Sequence, residues 1–80
     1  MTKEMAEALA EAVVSAMHCT YHAAAYKGRR DGKEEWAVKT GRSDWCRVVE
    51  VNYLYTPTAV LKWVCKRVQK DELRAYYLGG

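Results

Sequence analysis

The chain has 80 residues, a net charge of +3 and an isoelectric point near 8.8, which allows one domain and excludes a second. With five Leu, no Ile and no Phe, its nine Val, six Tyr and three Trp must fill a core that hides only about 60% of the unfolded surface. Three widely spaced cysteines, Cys19, Cys46 and Cys65, make a poor disulfide framework, and with no secretory leader and no apolar run of membrane length the expected compartment is a reducing cytoplasm.

Residues 3 to 27 are predicted as one helix. Thr2 suits its N-cap, and Glu4 and Glu7 suit the positive end of its dipole. Met5, Leu9, Val13, Met17 and Tyr21 recur every four residues as an apolar stripe. Alanines raise helix propensity along the whole span, and Gly28 after Lys27 has the pattern of a helix-ending glycine. The alanine-rich side also offers a seam for a homodimer through this helix.

"GRRDG", residues 28 to 32, is predicted as a turn. Residues 33 to 40 and 45 to 55 are enriched in Val, Tyr and Trp and are predicted as two strands of a hairpin joined by "GRSD". With Thr40 opposite Trp45, the residues Trp36, Val38, Val49, Val51, Tyr53 and Tyr55 would share a buried face. Glu35, Lys39, Glu50 and Asn52 would share the wet one.

A second helix is predicted from Thr56 as N-cap and Pro57 at its first position, running to about residue 72. Val60, Leu61, Val64, Cys65 and Val68 are its expected buried face. Lys62, Lys66 and Lys70 step by four along another. The tail, residues 73 to 80, fits helix or strand equally well.

The expected architecture is therefore α+β: helix, strand, strand, helix, with a small antiparallel sheet and both helices packed on one face. In that plan the first helix runs against the first strand. Glu4, Glu7 and Glu11 would then lie toward the hairpin tip, near Arg42, Arg67 and Lys70.

The charge is uneven. Residues 1–26 sum to −2 and residues 27–80 to +5, an asymmetry that suits an acidic partner or nucleic acid. His18 and His22 share a helix face if the first helix runs as predicted, but two imidazoles are too few for zinc, which takes three or four ligands. No metal and no cofactor are expected. The cysteines and histidines carry no nucleophile signature. The "GRRDGK" glycines lack the spacing and the following helix of a phosphate-binding loop, so an enzyme is not expected. The binding candidates are cations with rings beside them: Lys62, Trp63, Lys66, Arg67 and Lys70 on the second helix, Arg29, Arg30 and Lys33 around the turn, and Arg42. Trp36, Trp45 and Trp63 fit either the core or an interface, where Trp, Tyr and Arg concentrate binding energy, and some of the three Trp and six Tyr are expected to be exposed.

In its length, its helix–hairpin–helix plan, its want of an enzymatic motif and its surface aromatics such as Trp36 and Trp45, the chain resembles the small phage-encoded anti-CRISPR proteins. What the resemblance implies is steric blocking of substrate recruitment in a protein or ribonucleoprotein complex, a CRISPR effector, in the host cytoplasm. Many proteins of that group are acidic mimics of DNA, and this chain is mildly basic. The alternative is a small basic protein that binds nucleic acid directly. Reversing Arg29 and Arg30 to Glu is expected to weaken partner binding without unfolding the domain.

Overall fold

Thr2 caps the first helix as expected, its side-chain oxygen accepting from the Met5 backbone N–H at 3.1 Å. In the computed structural model, which describes residues 1–17 and 19–68, this helix, α1, spans Lys3–Ala16. It ends at Ala16 and not at residue 27, because Met17 turns to extended backbone (φ −96°, ψ 160°). The rest of the predicted helix is a strand, β1, Tyr21–Arg30. Pairing overrides propensity here: Ala23, Ala24 and Ala25 lie in register with Thr40, Lys39 and Val38.

β1 turns directly into β2, Lys33–Asp44. The two-residue loop is Asp31–Gly32, both at positive φ (53° and 79°). That is the backbone a tight hairpin between right-twisted strands requires, and Asp-Gly supplies it readily. β3 is Arg47–Leu54, and the sheet order is β1-β2-β3, antiparallel throughout. The second helix, α2, spans Pro57–Val68. Thr56 caps it, its hydroxyl oxygen accepting from the Ala59 N–H at 3.1 Å. The chain is thus α+β, as predicted, with three strands in place of two.

The β2–β3 register differs from the expected one. Asp44 pairs with Arg47, so Trp45 and Cys46 form the turn. Arg42 faces Glu50 while Ser43 faces Val48, which leaves Val49 as a bulge. Thr40 faces Asn52 and not Trp45, a shift of seven positions, and any odd shift exchanges the faces of a strand. Glu50, Asn52 and Leu54 therefore share a face with Thr40 and Val38, while Val51 and Tyr53 flank Gly41 and Lys39 on the other.

Ala6, Ala10, Val13 and Met17 of α1 and its exit join Tyr21, Val38, Val60 and Trp63 in one buried cluster. The buried side of α1 is its alanine side, and Met5 is exposed, because methyl groups let the helix lie close to the sheet. On α2 the inward residues are Val60 and Trp63, with Val64 half-buried; Leu61 and Cys65, expected inside, face outward. The extra strand also reverses the sense of α1 against β2. The Lys3 ammonium lies 5.7 Å from the Trp36 ring, and the N-terminal amine 3.7 Å from Glu35. The acidic start of α1 therefore sits at the β1–β2 turn, away from the β2–β3 tip.

Candidate docking surface

The cations expected to form the binding surface fall into two groups. Arg29, Arg30 and Lys33 gather at the β1–β2 turn. Arg29 reaches Glu34 at 3.9 Å, and Lys27 meets the same carboxylate at 3.1 Å. Arg30 chelates Glu35 through two nitrogens, at 2.8 and 3.0 Å, and its guanidinium lies 5.2 Å from the Tyr55 ring centre. Lys33 is exposed and has no ion pair among the described residues.

The second group surrounds Glu50. Trp63, one of the binding candidates, is only 6% exposed. Its indole N–H donates to Glu50 Oε2 at 2.9 Å, and its ring meets Tyr21 edge-on, with centroids 5.6 Å apart. Arg67 donates to the same carboxylate oxygen and lies 4.8 Å over the Trp63 ring. Asn52 gives a third donor at 2.7 Å. Partial burial pushes the Glu50 carboxyl up, but these donors overcome it and hold the group at about 2, below its usual 4.5. Arg67 is raised in turn by its bond to Glu50. Arg67 and Trp63 thus knit α2 to β3 and are not free for a partner. Lys62 and Lys66 remain exposed beside this cluster, and Arg42 is half-buried opposite Glu50. Lys70 lies outside the described residues.

The surface that sequence reasoning missed is the sheet face turned away from the core. Strand alternation places His22, Ala24, Tyr26 and Gly28 of β1 on it, with Ala37, Lys39 and Gly41 of β2 and Val51 and Tyr53 of β3. Tyr26, Val51 and Tyr53 are exposed, as are Val48 and Val49 at the bulge. Two glycines make room for the rings: a Cβ at Gly28 would meet the Tyr55 hydroxyl at 2.7 Å and Tyr26 at 3.1 Å, and one at Gly41 would meet the His22 ring at 2.7 Å. Tyr26 and Tyr53 lie with centroids 5.0 Å apart, and the Lys39 ammonium is 5.9 Å from each ring. Trp45 at the β2–β3 tip is 96% exposed and holds φ 59°, a conformation that bulky side chains rarely adopt. The signal for this face was the alternation of Glu50 and Asn52 against Val51 and Tyr53, read in the opposite register.

Cys19, Cys46 and Cys65 are exposed. His22 stands on β1 and not on a helix, and His18 lies outside the described residues, so the expected helical histidine pair does not form as drawn. Among the described residues no group of three or more His, Cys, Asp and Glu could hold a metal. An apolar groove of about 230 Å³ separates α1 from α2, lined by Leu9, Ala12, Ala16 and Leu61 among others. Of the alanines expected to form a dimer seam, Ala6 and Ala10 lie in the core and Ala12 and Ala16 line this groove, while Ala8 is exposed. No helix among the described residues is long and apolar enough to cross a membrane. Comparison with protein-family models, with curated proteins and with solved structures finds no match.

Proposed function

We propose that the chain is a non-enzymatic binding protein that covers part of a nucleic-acid-handling complex with the open face of its sheet and sterically blocks substrate recruitment. The observation that carries this reading is the uncovered, ring-bearing face: Tyr26, Val51 and Tyr53 are exposed together around Lys39. A small monomer seldom leaves such a patch without a use. A sheet is also a rigid platform, so little ordering entropy opposes docking.

The assignment of the partner to the CRISPR-effector class rests on the resemblance to anti-CRISPR proteins in size and plan, and it places the action in the host cytoplasm. The turn cations Arg30 and Lys33 supply a charged rim to the face, while Arg29 alternates to the helix side. The chain should inhibit target binding by a CRISPR effector stoichiometrically. In a gel-shift assay of effector with labelled target, inhibition should saturate near one chain per complex and should not grow with incubation time. Time-dependent loss of the target or of the effector at substoichiometric chain would mean turnover and would overturn the reading.

A further inference from the structure

We infer that the open sheet face takes a single-stranded nucleic acid, with bases against Tyr26 and Tyr53 and a phosphate on Lys39. The inference deepens the docking reading above and rests on it.

The charge distribution points to a polyanion. On the open face, alternation groups Lys39 with Arg30 and Lys33, and the carboxylate sharing that side is Glu35. Glu35 is already engaged by Arg30 and the N-terminal amine. The other sheet carboxylates with partners, Glu34 and Glu50, register with Arg29 and Arg42 on the helix side. The open face thus carries Arg30, Lys33 and Lys39 against Glu35 alone and keeps an excess of positive charge.

Lys39 sharpens the argument. It sits at the centre of the face, on the middle strand, directly beside Tyr53 in register. It is half-buried and has no ion pair among the described residues. Whatever covers it must bring an anion, because a covered unpaired ammonium is costly. The rings on either side need flat apolar partners. A single strand supplies both at each nucleotide: a phosphate for the ammonium and an unpaired base for the ring. A duplex buries its base faces in its own stack and cannot do so.

Fluorescence anisotropy of labelled (dT)12 and (rU)12 tests this with the full chain. Wild type should bind at least one of them, and affinity should fall about 5- to 20-fold between 50 and 200 mM salt, as expected for two or three phosphate contacts. Lys39→Glu and Tyr53→Ser should each weaken binding at least tenfold. Lys62→Glu, on α2, should change it less than twofold. Circular dichroism of each variant confirms that the fold is kept, and Lys39→Gln serves if Lys39→Glu does not fold. The inference is overturned by no binding at 100 µM chain, by equal loss in the Lys62→Glu variant, or by equal affinity for the duplex. If the oligonucleotides do not bind yet Tyr53→Ser abolishes inhibition of the effector, the face docks on protein and this inference alone falls. If Tyr53→Ser leaves inhibition intact, the docking reading falls with it.

Discussion

Glu50→Gln removes one charge from the cluster that ties α2 to the sheet while keeping the side chain's shape. The wild-type carboxyl sits at about 2 against a usual 4.5. At about 1.4 kcal/mol per pH unit this corresponds to roughly 3 kcal/mol at most. The Glu50 and Arg67 side chains are 25% and 14% exposed, so solvent screening brings the expected loss at pH 7 to about 2 kcal/mol. In a domain of this size that lowers Tm by roughly 8–16 °C. The pH dependence follows from the direction of the shift. A depressed carboxyl contributes fully above its unfolded value near 4.5, and the contribution disappears as pH falls from there through about 2. Urea unfolding followed by tryptophan fluorescence at several pH values reads both effects. The gap between wild type and Glu50→Gln should be largest at neutral pH and close as pH approaches 2. A gap that stays constant with pH, or no gap at pH 7, would refute the assignment of Glu50 as an ionised anchor for Arg67 and Trp63.

Gly41→Ala should destabilise by about 1–3 kcal/mol, since its Cβ would strike the Glu50 carbonyl oxygen as well as the His22 ring. Gly28→Ala should cost less, because its nearest neighbour is the movable Tyr55 hydroxyl; thermal unfolding of the two variants should rank them in that order. Trp45→Gly should raise stability by roughly 0.5–1 kcal/mol through relief of the left-handed backbone, and a fall in Tm would show that the indole contributes to folding. Arg29→Glu should change stability by less than about 0.5 kcal/mol, its pair with Glu34 being well exposed. Arg30→Glu should cost about 1 kcal/mol, because it loses the chelated Glu35 and the Tyr55 ring; denaturant midpoints compare them, and equal midpoints would contradict the roles assigned to these pairs.

Both helix starts were legible because capping is local chemistry: Thr2 and Thr56 each bond an N–H three residues on. The Asp31–Gly32 turn was equally legible, yet the strand leading into it was hidden. "YHAAAYKGRR" carries three alanines and a glycine that suggest a helix and its end. In the fold those same small residues let α1 approach β1 and let Tyr26 and Tyr55 lie over Gly28. The reason lies in tertiary contacts, which propensity does not contain. The β2–β3 hairpin was found, but its turn was expected at residues 41–44, whereas the strands run on to Asp44 and Arg47, so Thr40 pairs with Asn52 and not with Trp45. That odd shift of seven positions exchanged the two faces and put Val51 and Tyr53 inside. The candidate site suffered most from it. Trp63 and Arg67 look like surface binders in sequence, because nothing local reveals that Glu50, on a strand, will point at them. The open face was obscured for the same reason, since its rings come from β1 and β3 and meet only in the correct register.

The central claim is that the molecule works through the open sheet face and not through the lysines of α2. It is tested most directly by comparing two double variants side by side for inhibition of a CRISPR effector, with folding of each verified by circular dichroism. Val51→Lys with Tyr53→Ser alters the open face, and Lys62→Glu with Lys66→Glu alters α2. The account predicts at least tenfold weaker inhibition from the first pair and less than a twofold change from the second. The opposite ranking would contradict it.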